Sequence, residues 1–257
     1  MSLATEQLAL LCTAAFAAGF VDAIVGGGGL IQTPAALVLL RAYPVAAVIG
    51  TTKIPSFSGT LFATLQYLKK VEIRSKLLLV MCVLAFFASF GGSQLLTVIS
   101  NGFMKPVLLV VLTGVAIYTY VKKDFGQLQA KERTEQRELW YAVAISSIIG
   151  FYDGFIGPGT GSFLILAFIS LLGFDFLHAS AHAKMVNLAT NVGSIILFTI
   201  KGKIIWAAAI PMAVCNAAGG MIGARLAISK GNRFIRIFFL LIVIGTLARF
   251  MWDVLGK

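Results

Sequence analysis

Residues 19–29 read GFVDAIVGGGG, and residues 150–160 read GFYDGFIGPGT. In both stretches an aspartate is followed four positions later by a glycine-rich break, and Asp153 comes 131 positions after Asp22. The same offset, without a gap, relates Lys53 to Lys184, and it holds for further glycine and phenylalanine pairs along the chain. The chain is therefore interpreted as two copies of one unit. Such a duplication is typical of transporters that are built from internal repeats.

Composition places this unit in a lipid bilayer. The chain is 59% hydrophobic and only 12% charged, with a mean hydropathy of +0.93. A soluble domain carries about twice that share of charge. Most of the long apolar runs approach the roughly 20 residues that a helix needs to cross the hydrocarbon core. The candidate spans are 4–25, 45–68, 77–99, 107–121, 139–156, 176–200, 204–228 and 237–254.

Two shorter apolar runs, 30–40 and 162–173, each follow a glycine break directly and are predicted to be half-helices. The expected fold is an all-α integral membrane protein. It has two homologous repeats of about four spanning helices, each with a glycine-broken helix or half-helix near the midplane. We assign residues 1–121 and 139–257 to the repeats and residues 122–138 to a cytoplasmic linker. The predicted location is the cell inner membrane, crossed several times.

The net charge of +11 is interpreted as the basic bias of cytoplasmic loops rather than as a nucleic-acid site. Basic residues cluster at 69–76 and in the linker, with two candidate spans between the clusters. An odd number of crossings in each half gives inverted repeats, and an even number gives parallel ones. The odd count places Lys230, Arg233 and Arg236 inside and the N-terminus outside. The distribution of basic residues favours the inverted arrangement.

The glycine breaks predict a site for an anion. Each glycine costs a helix interior about 1 kcal/mol relative to alanine, so the run Gly26, Gly27, Gly28 ends the helix. Freed backbone groups at membrane depth are tolerated only where protein buries them or where they line a wet cavity. The helix that restarts beyond the break presents N–H groups and the positive end of its dipole, which favour an anion. The second copy offers Gly157, Gly159, Thr160 and Ser162 for the same task. Close packing through small residues is the alternative interpretation.

Lys53 and Lys184 each lie inside a candidate span, where a lysine costs about 2.5–3.5 kcal/mol to insert. We therefore predict that both lysines supply positive charge to a bound anion. The alternative is a pair of structural ion pairs with Asp22 and Asp153, arranged within each half as Asp22 with Lys53 and Asp153 with Lys184. The aspartates have three open roles: bonding the frayed backbone, balancing the lysines, or carrying a proton.

Polar neighbours extend the predicted site. Lys184, Asn187 and Asn191 share one helical face, and Thr51 adjoins Lys53. Amide and hydroxyl donors suit the oxygens of an oxyanion. His182 is interpreted as a polar core residue, with a proton relay as the alternative.

Other classes of protein receive less support from the sequence. Three cysteines without a CxxC spacing predict neither a disulfide framework nor a metal site, and no cofactor is expected. No GxSxG or GxxxxGK[ST] motif occurs, so neither a hydrolase nor an ATP-driven pump is predicted, and the chain is expected not to be an enzyme. A passive anion channel remains the main rival, because pores and carriers use the same groups.

At the two glycine breaks and at the segment Gly50-Thr51-Thr52-Lys53 the sequence resembles the TauE/SafE sulfite exporter family, over essentially its whole length. The resemblance implies a secondary transporter that exports a small sulfur-containing anion such as sulfite, sulfoacetate or another sulfonate. This chain has Thr52 where the family often has asparagine. The expected partners are the anion and the lipid bilayer, and no nucleic acid. A coupling proton or ion and a homodimer are left open, as is a carrier for another small organic anion.

Overall fold

The structure is a computed structural model that describes residues 4–73, 75–104 and 135–255 together with positions 107, 110 and 114. For residues 75, 135 and 232–255 the description covers the backbone alone. Within these ranges the chain forms eight helices of eleven or more residues and no strand, which confirms the all-helical prediction. The helices are α1 (Thr5–Val25), α2 (Gly29–Leu39), α3 (Val45–Tyr67), α4 (Ser75–Val98), α5 (Glu135–Phe155), α6 (Thr160–Leu172), α7 (Phe176–Ile200) and α8 (Trp206–Leu255).

Four helices of the described part are long and apolar enough to cross a membrane: Thr5–Val25, Lys76–Val98, Phe176–Ile200 and Trp206–Gly231. The helices α3 and α5 have comparable lengths of 23 and 21 residues, but they contain more polar residues. The apolar helices α2 and α6 have only 11 and 13 residues and begin just after the glycine breaks. A helix of 13 residues is about 20 Å long, so neither can cross a bilayer alone.

Helices in the two halves begin at matching chain positions. Gly29 opens α2 and Thr160 opens α6, 131 positions later. The same offset separates the first residues of α3 and α7, and those of α4 and α8.

Helices α3 and α7 lie side by side and run in opposite directions. Near the start of α3, Thr51 Oγ1 accepts a hydrogen bond of 2.9 Å from the Ile205 N–H, just beyond the end of α7. Further along α3, the Thr60 hydroxyl lies 3.5 Å from Asn187 Oδ1, in the first half of α7. Positions therefore rise along α3 as they fall along α7.

Glycines bring the long helices into close contact. A Cβ built on Gly219 of α8 would lie 2.1 Å from the Phe16 carbonyl oxygen of α1. A Cβ on Gly154 of α5 would lie 1.9 Å from the Ser89 carbonyl oxygen of α4. Membrane helices associate through such small residues because the lipid gives no hydrophobic force between them. The pairs α1–α8 and α4–α5 are thus fixed by backbone-to-backbone packing.

Large apolar side chains are exposed on the outer faces of the helices. On α4, Leu79 and Phe87 are each 67% exposed and Val83 is 48% exposed. An apolar surface of this kind is stable against lipid tails, whereas on a soluble protein it would be a liability. The buried side of the bundle instead contains many polar residues.

One predicted boundary differs from the structure, and one predicted span falls largely outside the described residues. Residues 135–138, assigned to the linker, form the first turn of α5, while residues 122–134 lie outside the described ranges. Most of the predicted span 107–121 also lies outside them. The predicted spans 204–228 and 237–254 both fall within α8, whose helical course is interrupted between them at Gly231, where φ is 69° and ψ is −167°.

Candidate functional site

The glycine breaks of the two halves meet inside the helix bundle. Gly26 ends α1 with a φ of 79°, and Gly157 follows α5 with a φ of 93°, a backbone region that glycine enters without steric cost. The Ser162 N–H donates to the Gly26 carbonyl at 2.9 Å, and the Ser162 hydroxyl donates to the Val25 carbonyl at 3.0 Å. A Cβ on Gly161 would lie 2.4 Å from the Gly26 carbonyl oxygen, so both positions need glycine for this contact.

A cavity of about 40 Å³ lies beside this contact. A site of this volume accommodates roughly three water-sized guests, which suits a compact ion. Ile156 is the one residue with a large apolar side chain among the described residues that line the cavity; the others are glycines or polar residues. The lining consists of Asp22, Gly26, Gly29, Thr33, Thr52, Lys53, Ser56, Thr60, Asp153, Ile156, Gly157, Gly159, Thr160, Gly161, Asn187 and Asn191.

Lys53 supplies a positive charge at the wall of this cavity. Lys53 is only 4% exposed. Its Nζ lies 3.0 Å from Asp153 Oδ1 and 2.5 Å from the Asp153 carbonyl oxygen. Helix α3 thus presents the lysine to the end of α5, next to the second glycine break. A Cβ on Gly157 would lie 3.0 Å from Lys53 Nζ, so this glycine leaves room for the ammonium group.

Lys184 forms the second ion pair, with Asp22. Its Nζ lies 3.6 Å from Asp22 Oδ2 and also donates to the Asp22 carbonyl oxygen. Both ion pairs therefore join one half of the chain to the other. The sequence-based pairing of Asp22 with Lys53 and of Asp153 with Lys184 was wrong. It failed because α3 lies antiparallel to α7, which brings each lysine to the break of the opposite half.

The two aspartates differ in their remaining contacts. Asp22 Oδ1 accepts a hydrogen bond of 3.3 Å from the Gly28 N–H, so this carboxylate supports the frayed backbone of its own break. Asp153 is 3% exposed, and its Oδ2 has no hydrogen-bond partner among the residues that the structure describes. Asp153 therefore leaves one carboxylate oxygen unsatisfied beside the cavity.

Most of the predicted site residues are brought together. The cavity wall contains nine of them: the substrate-binding candidates Gly26, Lys53, Gly157, Gly159, Thr160, Asn187 and Asn191, and the aspartates Asp22 and Asp153 from the predicted coupling or structural set. Asn187 and Asn191 also bond to each other, since Asn191 Nδ2 donates to the Asn187 carbonyl at 2.8 Å.

Six predicted residues do not line this cavity: Gly27, Gly28, Thr51, Ser162, Lys184 and His182. Thr51 Oγ1 donates to the Ala47 carbonyl at 2.6 Å and accepts from Ile205, so it fixes the turn that follows α7. Ser162 bonds to the first break, and Lys184 is occupied by Asp22. These three side chains hold the elements around the cavity.

Sequence reasoning missed several residues of the wall, among them Thr33, Gly29 and Thr60. The signal for Thr60 was present, because it lies 131 positions before Asn191 and seven after Lys53. Lys53, Ser56 and Thr60 therefore form the counterpart of Lys184, Asn187 and Asn191, on one face of α3. Thr33 lies in a half-helix in which the sequence shows no other sign of a site.

His182 belongs to a second cavity, of about 330 Å³, with His178, Asp175 and Glu72 in its wall. Its Nδ1 lies 2.8 Å from the His178 carbonyl oxygen, and its ring meets that of Phe174 edge-on at 4.7 Å. Burial raises the pKa of the Asp175 carboxyl, but hydrogen bonds from His178 and Leu177 outweigh burial and leave that pKa below its ordinary value. These contacts favour the structural interpretation of His182.

The formal charges around the first cavity cancel, because two lysines face two aspartates. Buried charges of this kind are costly unless they are paired, and within a membrane they mark sites of function. A model of the family described as Sulfite exporter TauE/SafE matches residues 11–250. The chain belongs to this family.

Relatives match the chain over nearly its full length. A "Probable membrane transporter protein ORF9" of Sinorhizobium sp is 34% identical over 251 residues, covering 98% of this chain and 95% of the relative. A "Probable membrane transporter protein" of Haemophilus influenzae is 33% identical and covers 98% of both chains. "Probable membrane transporter protein YfcA" of Escherichia coli K12 is 31% identical, covering 97% of this chain and 91% of the relative. No solved structure gives a significant match. The chain is thus a membrane transporter, as its helices and buried charges indicate.

Proposed function

We propose that the chain is a secondary transporter that carries a small anion, sulfur-containing like the substrate in the family's name, across the cell inner membrane. The observation that carries the proposal is the meeting of Lys53 with both glycine breaks at one polar cavity. The cavity volume of about 40 Å³ suits a compact oxyanion, and hydroxyl and amide groups line it. Export is the direction that the family description suggests.

The antiparallel arrangement of α3 and α7 supports inverted repeats. Thr51 lies by Ile205 and Thr60 by Asn187, so equivalent helices of the two halves run in opposite directions. In transporters with inverted repeats the substrate lies near the midplane, between broken helices, and access alternates as one part rocks against the other. The contact between Gly26 and Gly161, where the two glycine breaks meet, is consistent with such an arrangement.

The basic residues indicate which end of the bundle faces the cytoplasm. The turn between α3 and α4 carries Lys69 and Lys70, both exposed, and the start of α5 on the same side carries Arg137. Under the rule that cytoplasmic loops are rich in lysine and arginine, this side faces the cytoplasm.

The test uses purified protein in liposomes, with uptake of sulfite, sulfoacetate, sulfate and acetate measured in parallel. We expect saturable uptake of at least one sulfur anion, stimulated when the same anion is present inside. Stimulation by internal anion distinguishes a carrier from a passive channel, which gives flux without it. Lys53→Ala should abolish uptake, whereas Lys69→Ala, at an exposed lysine outside the cavity, should leave it unchanged. Normal uptake by the Lys53 variant would contradict the proposed site.

A further inference from the structure

We infer that Asp153 binds a proton that travels with the anion, which makes the protein a proton–anion symporter. This inference rests on the proposed anion site, and it assigns one residue of that site a separate role. Three observations carry it: the position of Asp153 on the cavity wall, its unsatisfied oxygen, and its contact with the lysine that the anion would use.

Asp153 Oδ2 is the atom to which the proton would add. It is buried, and no described residue gives it a hydrogen bond, whereas Oδ1 of the same carboxylate is held 3.0 Å from Lys53 Nζ. A buried carboxylate oxygen without a donor carries the full cost of its desolvation. Protonation lowers that cost, because a neutral carboxyl group has no charge to desolvate and its O–H can donate to a group in the cavity. Asp22 differs, since its Oδ1 accepts from Gly28 and its Oδ2 faces Lys184.

The charge balance makes anion and proton depend on each other. Lys53 is neutralised by Asp153 while that carboxylate is ionised, and an anion beside Lys53 would face the negative carboxylate at close range. A proton on Oδ2 removes this repulsion and releases the charge of Lys53 for the anion. The anion therefore binds well only when Asp153 is protonated, and the proton is held more tightly when the anion is bound.

Few other charges face Asp153. Lys53 reaches it from α3, and Asp22 shares the cavity wall from α1. Lys184 of α7 is paired with Asp22, and Tyr152 of α5 donates its hydroxyl to the Pro158 carbonyl at 2.6 Å. In the described part of the chain, α4 and α6 contribute no charged side chain to the wall. Lys53 is thus the residue whose positive charge loses its partner when Asp153 is protonated.

A metal cation fits this place less well than a proton. The ammonium group of Lys53 lies 3.0 Å from the carboxylate that would have to bind the cation, and like charges repel at that distance. A proton forms an O–H bond with Oδ2 and needs no shell of further ligands. Water on the open side of the cavity supplies it, and water on the other side takes it back. Net direction then follows the two gradients, and the anion leaves the cell when its concentration ratio exceeds that of protons.

The first test uses the wild-type protein in liposomes, with the potential clamped by potassium and valinomycin. Sulfite and sulfoacetate serve as probes, because sulfite itself takes up protons near neutral pH and sulfoacetate stays ionised. With the exterior one pH unit more acidic than the lumen, we expect accumulation of up to about tenfold, since one unit is a tenfold proton ratio. A protonophore should remove it, and a lumenal pH dye should report acidification when the probe is added.

The second test compares Asp153→Asn with Asp175→Asn, which makes the same change at a carboxylate outside the cavity and preserves a helix cap. Asp153→Asn should still exchange internal for external sulfoacetate, at a rate that no longer varies with pH, and should lose the accumulation of sulfoacetate that the pH gradient drives. Asp175→Asn should behave as the wild type in both assays.

The possible outcomes separate the symport, the role of Asp153 and the proposed function from one another. Wild-type transport that ignores the pH gradient, or that follows a sodium gradient at equal pH, overturns the symport and leaves the anion site standing. Gradient-driven accumulation by Asp153→Asn assigns the proton to another group and overturns the role of Asp153. Absence of wild-type uptake of either probe overturns the proposed function itself. If Asp153→Asn does not fold, the proton flux of the wild type still decides whether a proton moves with the anion.

Discussion

The ammonium group of Lys53 lies 3.0 Å from Oδ1 of Asp153, a residue 100 positions further along the chain and in the other half of the molecule. Lys184 Nζ and Asp22 Oδ2 form the equivalent pair, 3.6 Å apart, with the lysine in the second half and the aspartate in the first. Each half thus supplies a lysine for the aspartate that precedes the break of the other half. The two ion pairs connect the halves beside the cavity.

The crossed pairing predicts which double variants recover stability. Removal of one partner from a buried ion pair costs about 3–5 kcal/mol, because the other charge is left uncompensated. Lys53→Ala should therefore lower the free energy of unfolding by an amount of this order, and adding Asp153→Asn should restore most of it. Adding Asp22→Asn instead should restore none and should cost more. Denaturant unfolding of the purified protein in detergent measures all three.

The same double variant separates binding from structure. Lys53→Ala with Asp153→Asn should be stable but unable to bind or carry an anion, because the positive charge at the cavity wall is absent. Thermal shift with added sulfite measures binding, since a ligand at 100 times its Kd stabilises the folded state by about 2.7 kcal/mol. A stable double variant with normal anion affinity would show that Lys53 only balances Asp153.

The contact between the breaks predicts an order of tolerance among the glycines. A Cβ on Gly161 would lie 2.4 Å from the Gly26 carbonyl oxygen, whereas a Cβ on Gly27 meets nothing closer than Ser162 Oγ at 3.4 Å. Gly161→Ala should therefore force the two breaks apart and abolish transport, and Gly27→Ala should retain it. Uptake into liposomes, with insertion checked by size-exclusion profile, measures both. Equal transport by the two variants would mean that the contact is not required.

Sequence reasoning was strongest where a residue type is rare in its surroundings. Lysines and aspartates inside apolar runs identified the four charged residues of the site, and the glycine runs located both breaks, because each pattern is costly in a membrane unless it is used. The pairing could not be read from the sequence, since it depends on the direction in which α3 passes α7. Thr51 and Ser162 were assigned to the anion for a related reason. A hydroxyl near a site gives no sign of whether it faces the cavity or bonds to a backbone carbonyl, as both of these do.

The N-cap of α7 predicts a modest, pH-dependent effect on stability. The Asp175 carboxylate accepts from the Leu177 and His178 N–H groups at 2.9 and 3.0 Å, and replacing such a cap by alanine costs about 0.5–2 kcal/mol. The pKa of Asp175 is lowered on folding, so its stabilising contribution is present above the ordinary pKa of an aspartate and is lost as pH falls through the lowered value. Asp175→Ala should therefore lower Tm at neutral pH and approach the wild type in acid. A deficit that stays constant down to acid pH would show that the carboxylate charge contributes nothing.

The direction of the chain in the membrane gives the last prediction. Lys70, in the turn after α3, and Gln136, at the start of α5, are exposed at the end of the bundle assigned to the cytoplasm. Lys201, in the turn after α7, is exposed at the other end, because α7 runs antiparallel to α3. Single cysteines at these positions, in a chain whose Cys12, Cys82 and Cys215 are replaced by alanine, should react oppositely with an impermeant maleimide. In intact cells only the cysteine at position 201 should be labelled, and those at 70 and 136 should require opened membranes. Labelling of position 70 in intact cells would reverse the orientation, and labelling of 70 and 201 from one side would refute the inverted repeats.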